Sequence, residues 1–594
     1  MTSGVTPEVE LESFLPQPHS LNYFEHQDHK NMGIVGLTVD IPSSRRPDTR
    51  TDRKHSPPRW KTVEFKCYAT IACIVIPIMF WIPMTLSSST HPNYPLYAPR
   101  LSKGWMFGRK VDNSDDQYRS FRTNIPSLSA AALIYLTLKS LYVRVAGTSK
   151  PDSTHLIPFN LAFSILMLLA LHGSSILKIL LILTINFAIA KCCGPSKLAP
   201  WLIWTFNGAI LLANDRYHGY VFGDIVPALS FLDEWDGLYP RWYISFNITM
   251  LRLVSFGMDY HWACKHPGKL NIDSNLNEKT RVSTVHSLEM YSFINYLSYA
   301  IYSPLYIAGP IMTFNDYVWQ HRKPMSVTWR YTLGYLLRFL ASLLTMEFIL
   351  HFMYVVAIKN KKAWGGDTPA EISMIGFWNL VIVWLKLLIP WRFFRLWALL
   401  DNIDPPENMV RCMANNYSTF GFWRSWHRSY NLWIIRYIYI PMGGAKSVVL
   451  NSVLVFTFVA LWHDLTFRLL AWGWLVSLFI IPELLASSVL PASKYDQRWW
   501  YRHVCALGAV GNMMMMMAAN LVGFVIGTDG VQFFLQRLTG SIEGESYLEA
   551  TACRHKIHTS TSGRHKIFGA FRVLHVCRGP PYVRVPVSSN CLLD

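Results

Sequence analysis

The amino-acid sequence predicts an all-α fold, a multi-pass bundle of roughly ten to twelve membrane helices. Three observations predict it. Of 594 residues, 51% are hydrophobic and only 15% are charged. The apolar residues gather in long runs with few charges, and about 17–25 such residues suffice to cross ~30 Å of hydrocarbon as a helix. The chain also carries 23 Trp and 29 Tyr, which suits two interfacial aromatic belts.

In chain order, residues 1–60 are polar, Pro-rich and charged, without a periodic apolar face, and read as a disordered arm. The first run, Cys67–Leu86, is long enough to span and to act as an uncleaved signal anchor. A polar loop over 91–125 follows. Then come the runs Phe159–Leu171, Ser175–Ala190, Trp201–Ala213, Tyr331–Ile358, Ile375–Leu400, Val448–Trp462, Leu469–Leu490 and Val504–Ile526. Shorter apolar stretches, Ala130–Leu141, Tyr243–Phe256 and Tyr291–Ile311, are broken by polar, Pro or Gly residues. Residues 61–530 therefore read as one membrane-embedded domain, and 531–594 as a polar, basic tail. No internal repeat is evident, so sequence symmetry gives an inverted-repeat transporter no support.

Net charge is +18. In a soluble chain that balance would suggest nucleic acid. Here the basic residues sit in loops, as in Arg45-Arg46, Arg322-Lys323 and Lys359–Lys362, where they anchor to anionic headgroups and set topology. Membrane lipids, not nucleic acid, are the expected partners. The ten Cys are scattered without metal-ligand spacing, so no metal site is expected. Cys192-Cys193, at a predicted helix end, could carry S-acylation.

Polar side chains in the late apolar region are the informative ones, because a charge at a helix centre costs ~2.5–3.5 kcal/mol in lipid. Two histidines stand out. Read at helical spacing, Trp423, His427 and Asn431 share one face, with Arg424, Arg428 and Arg436 on a neighbouring one. The segment ends in Pro441-Met442-Gly443-Gly444, which stops a helix or forces a re-entrant turn. The plain alternative is an interfacial helix that snorkels its arginines. His463 closes the apolar run from Val448; alone, it would suit a helix end at the headgroup layer. Asp464 and Arg468, four apart, read as an ion pair.

A neutral imidazole in a membrane suits a general base that takes the proton of a lipid hydroxyl attacking an activated acyl group. A second polar side chain could orient substrate or support the oxyanion. Arg424, Arg428 and Arg436 could hold phosphates. A dry tunnel of Phe, Trp and Met would suit acyl chains, and Met513–Met517 are either part of its wall or plain helix filling.

Five pieces in order resemble the membrane-bound O-acyltransferase (MBOAT) family. They are Trp391–Trp397, Pro405-Pro406-Glu407-Asn408, Phe422–His427, Tyr437–Gly444 and Trp462-His463. Tyr299–Pro310 is similar to the family's aromatic stretch with Pro and Gly. The resemblance covers roughly 100–530. Gly104–Asp115, Arg241–Asn247 and Ala471–Trp474 look characteristic of the fungal glycerol-uptake-protein branch, related to Hedgehog acyltransferase. The resemblance implies a bundle enclosing a catalytic tunnel. It also implies an endoplasmic-reticulum enzyme that moves a long or very long acyl chain from acyl-CoA, as co-substrate and without further cofactor, to the lyso-lipid of glycosylphosphatidylinositol (GPI) anchors. His463 matches the family's catalytic histidine and His427 its second polar position. Asn431 and the three arginines are the remaining candidates for substrate contact. Leu538–Asp594 departs from the further helix and charged tail usual in the branch, which implies an altered C-terminus. Two alternatives remain open: a glycerol or polyol transporter, and an inactive family member.

Overall fold

The protein is described here from a computed structural model, covering residues 61–146, 152–266, 276, 278–463, 466–495, 497–521 and 523. The arm over 1–60, the tail over 531–594 and Asp464 lie outside the described residues. Most of what is described is helical. Among the described residues the one named sheet is a two-stranded antiparallel ladder, Leu101–Lys103 against Lys110–Asp112.

Six helical stretches are long and apolar enough to cross a membrane: Val63–Leu86, Asp116–Ala146, Thr154–Cys193, Trp329–Phe352, Pro369–Leu400 and Phe467–Val489. Val448–His463 is apolar but shorter. The expected runs at 201–213, 243–256 and 504–526 fall in the helices Ala199–Tyr217, Trp242–Lys265 and Tyr501–Asn520. The outer face is apolar, with Ile71, Leu133, Leu166, Leu181, Trp201, Leu337, Leu454 and Leu507 all well exposed. Water would penalise such a face. Hydrocarbon accepts it, and the multi-pass arrangement follows.

Local chemistry sets the helix ends. Thr62 caps the first helix by accepting from Phe65 N–H at 3.4 Å. Thr368 and Glu371 form a reciprocal capping box at the start of Pro369–Leu400, with Pro369 in the first turn. Two expected crossings are interrupted. The run 331–358 breaks at Met353, which is extended, because the carboxylate of Asp112 takes the amides of Val356 and Ala357 at 3.1 and 2.9 Å. Those bonds draw Val355–Lys361 out of register and onto the hairpin. The run 291–311 becomes Phe293–Ala300 and the single turn Ser303–Tyr306. The carbonyls freed there are not left bare: the buried Arg252 guanidinium donates to Ala300 O and Leu305 O.

Two large apolar clusters make up the interior. One surrounds the buried helix Trp242–Lys265 and includes Tyr430, Trp433 and Trp462. The other gathers around Trp329–Phe352 and Pro369–Leu400 and includes Trp391 and Trp397. Within 409–433, Met409 and Trp426 pack with the second cluster and Phe420, Trp423, Tyr430 and Trp433 with the first.

Candidate active site at a histidine seam

His427 does not lie within a helix. The segment read as one amphipathic helix is two short ones, Thr419–Ser425 and Arg428–Ile434, and His427 is the joint between them with φ 44° and ψ 50°. The expected common face of Trp423, His427 and Asn431 is therefore corrected. Trp423 turns toward Phe456 and Trp472, at 5.4 and 5.6 Å between centroids. Asn431 follows one turn after the joint, its N–H donating to the His427 carbonyl at 3.0 Å.

The left-handed joint is held from outside. Arg428 N–H donates to the Asn408 carbonyl at 3.0 Å, and Ser429 N–H to the Asn408 Oδ1 at 3.1 Å. Val410 N–H donates to Ser425 O at 3.2 Å, and Ser429 Oγ accepts from Ile311 N–H at 2.8 Å. A non-glycine residue in this region of backbone space costs of order 1–3 kcal/mol, and persists where surrounding structure over-determines it.

The joint aims His427 into an aromatic box. Its ring stacks on Trp391 at 4.4 Å and meets Tyr430 at 5.1 Å and Trp462 at 6.5 Å. Tyr430 and Trp462 are themselves 4.6 Å apart. Trp391 comes from one apolar cluster and the other two from the second, so His427 bridges the seam. Desolvation in this box pushes the imidazole's pKa down to about 3, with the nearby His463 as a smaller contribution in the same direction. His427 is thus neutral at physiological pH. His463, the last residue of Val448–His463, is exposed at that helix end and packs edge-on against Trp462 at 4.8 Å. The two histidines, distant from each other in sequence, flank one indole.

The arginines separate into two kinds. Arg428 pairs with Glu278 at 2.9 Å. Arg436 sits in a short π-helical stretch, Ile435–Tyr439, and pairs with the fully buried Asp259 at 2.8 Å, also lying over Trp262. Tyr437 donates to the same carboxylate at 3.0 Å. Arg424 is exposed and lies over Phe420. With Arg411, Ser418, Tyr439 and Glu483 it lines a cavity of about 660 Å³. The expected turn after Tyr439 is present, with Gly443 at φ 96° and Gly444 at φ 57°, values that suit glycine. Of the Met513–Met517 run, only Met516 is buried. Among the described residues no three His, Cys, Asp or Glu side chains are grouped as metal ligands.

Sequence reasoning missed the walls of the box, Trp391, Tyr430 and Trp462, and missed Asn408 as the anchor of the joint. Trp391, Asn408 and Trp462 lie in the pieces that carry the family resemblance and Tyr430 lies between two of them, but aromatic residues in an apolar run give no separate signal of facing a histidine.

Comparison with known proteins places the chain among its relatives. Residues 229–528 match the model of the membrane-bound O-acyltransferase family. The chain is similar to the membrane-bound O-acyltransferase GUP1 of Saccharomyces cerevisiae, 46% identical over 526 residues, covering 86% of this chain and 92% of that one. It is 39% identical to GUP2 of the same yeast over 581 residues, covering 93% and 92%. A more distant likeness, 27% over 193 residues, links it to the protein-cysteine N-palmitoyltransferase HHAT of Mus musculus, covering 30% and 37%.

Proposed function

The chain belongs to the membrane-bound O-acyltransferase family and is an acyltransferase, and we propose that it transfers a long acyl chain from acyl-CoA to the lyso-lipid of GPI anchors in the endoplasmic reticulum. The observation that carries the reading is the meeting of His427 and His463 at Trp462, on a joint whose left-handed backbone is held by Asn408.

In this reading His463 is the general base. It takes the proton of the acceptor hydroxyl as that oxygen attacks the thioester carbonyl carbon, then returns it to the departing CoA thiolate. A neutral His427 orients the acyl group through its one N–H; an imidazolium there would oppose the charging of His463. The acyl chain lies in this reading against the aromatic wall of Trp391, Tyr430 and Trp462. Arg424 and Arg411, without a carboxylate partner among the described residues, support a role in holding the CoA phosphates. Arg428 and Arg436 are occupied by Glu278 and Asp259, which argues against direct phosphate contact by them. The acceptor rests on the resemblance to the fungal glycerol-uptake branch, and the donor on the acyltransferase family.

The test is incorporation of labelled acyl chain from acyl-CoA into lyso-GPI by purified protein, beside lipid profiling of GPI anchors from cells with and without it. Transfer to lyso-GPI and loss of remodelled anchors are expected. Transfer to other lyso-lipids, with lyso-GPI ignored, would replace the acceptor; no transfer from acyl-CoA would remove the reading.

A further inference from the structure

We propose that Tyr430 is a catalytic residue of this transfer, its phenolic hydroxyl donating a hydrogen bond to the thioester carbonyl oxygen as negative charge develops there. The inference rests on the acyl-transfer reading above and adds a donor that reading does not contain.

The ring of Tyr430 is 4% exposed and sits between His427 at 5.1 Å and Trp462 at 4.6 Å, with Trp433 stacked behind it at 6.1 Å. Its hydroxyl is buried and has no hydrogen-bond partner among the described residues. Other buried tyrosines nearby do have one. Tyr437 donates to Asp259, Tyr291 to Asn315 Oδ1, Tyr299 to the Met312 carbonyl and Tyr296 to the Leu183 carbonyl. An unpaired buried hydroxyl costs free energy that phenylalanine in the same box would avoid. A donor left open beside His427, and against the indole on which His463 packs, fits an acceptor that arrives with the substrate.

Burial also holds this phenol well above its ordinary pKa, so it stays protonated and able to donate at any physiological pH. The step balances without another reactant. The acceptor oxygen forms its bond to the carbonyl carbon while the C=O π pair moves onto the oxygen facing Tyr430. His463 receives the hydroxyl proton. Collapse restores C=O and breaks C–S, and the thiolate takes the proton back from His463. Tyr430 neither gains nor loses a proton. It stabilises charge only, as an oxyanion-hole donor does.

The experiment compares parent, Tyr430→Phe and a variant with a fluorinated tyrosine at 430, each purified in the same detergent with labelled long-chain acyl-CoA and lyso-GPI. Tyr430→Phe removes no hydrogen bond of the resting protein. Its thermal midpoint should equal or exceed the parent's, KM for acyl-CoA should stay within about twofold, and kcat should fall ~10²-fold, the usual loss for one such donor. The fluorinated tyrosine keeps ring and hydroxyl and should keep most of kcat, which guards against a packing artefact in the Phe variant. A Phe variant with kcat within about threefold of the parent, or a fluorinated variant as slow as Phe, overturns the inference. Failure of the parent itself to use acyl-CoA would instead defeat the acyl-transfer reading.

Discussion

The imidazole of His427 lies stacked on the indole of Trp391, ring centroids 4.4 Å apart and planes 26° apart. The contact sets a ring of one apolar cluster against a histidine that also meets Tyr430 and Trp462 of the other, and it fixes the plane of a residue whose backbone is already strained. Trp391 should therefore matter for geometry more than for chemistry. Trp391→Phe keeps an aromatic face and should retain most transfer. Trp391→Ala opens a cavity at the seam and should cost ~3–5 kcal/mol, as large aromatic truncations do. Thermal midpoints in detergent, beside transfer rates at matched folded protein, check this. Equal midpoints for Ala and parent would mean that the stack does not hold the seam.

The backbone of His427 gives a separate expectation. At φ 44° glycine pays no Cβ penalty and asparagine tolerates the left-handed region, whereas alanine does not. Thermal stability should run His427→Gly and His427→Asn above His427→Ala, by about 1 kcal/mol. Activity should not follow that order. Gly and Ala both remove the ring donor and should lower transfer ~10²–10³-fold with acyl-CoA binding retained, while Asn keeps a donor and should lose least. Unchanged turnover in the Ala variant would remove His427 from the site.

Protonation of His427 should be costly. Its folded pKa of about 3 lies below the unfolded value near 6.5, so the unfolded chain binds more protons between those limits. Stability contributed by the neutral ring is complete above about pH 6.5 and is lost as pH falls toward 3, at no more than ~1.4 kcal/mol per pH unit. His286, buried against Asn315 O, and His321 are pushed down to about 4 by burial and add to the same trend. The midpoint should therefore drop between pH 7 and pH 5 in the parent, and by less in His427→Asn. Identical pH slopes for the two would show that His427 does not supply this term.

Much of the fold was legible because bilayer thickness imposes a length on apolar runs: Cys67–Leu86 and Ile375–Leu400 each fall within a single helix. Runs at 331–358 and 291–311 misled for a specific reason. Their interruptions depend on Asp112 and Arg252, distant residues that capture backbone amides and carbonyls, and periodicity carries no trace of such partners. The site divided the same way. His427 and His463 are rare polar groups in apolar surroundings and announce themselves. The joint at His427 depends on Asn408, about twenty residues earlier, so helical spacing misplaced Trp423 and Asn431.

Sorting of the arginines is testable with single changes. Arg436→Ala leaves Asp259 buried without its cation, and breaking such a pair costs ~3–5 kcal/mol. The expected result is low folded yield, with KM for acyl-CoA near parental in what folds. Arg424→Ala breaks no ion pair and should fold normally, with a several-fold higher KM for acyl-CoA and little change in kcat. Were Arg436→Ala to fold fully and raise KM, while Arg424→Ala did nothing, phosphate contact would belong to Arg436 instead.

The sharpest expectation concerns His463. A lipid hydroxyl is almost wholly protonated at neutral pH, so its attack on a thioester needs a base. His427 is walled in by Trp391, Tyr430 and Trp462, which leaves an acceptor hydroxyl little room to reach its ring. His463, exposed at its helix end, is the imidazole that an acceptor hydroxyl can approach. A positioned base contributes ~10²–10⁴ in rate, or about 3–5 kcal/mol of barrier. His463→Ala and His463→Gln should both abolish measurable transfer from acyl-CoA while the protein inserts and folds as the parent does. Glutamine is the decisive variant, because it keeps size and hydrogen bonding and removes only basicity. A Gln variant that transfers near the parental rate would sink the base assignment and leave His427 and Tyr430 without a proton acceptor to work beside.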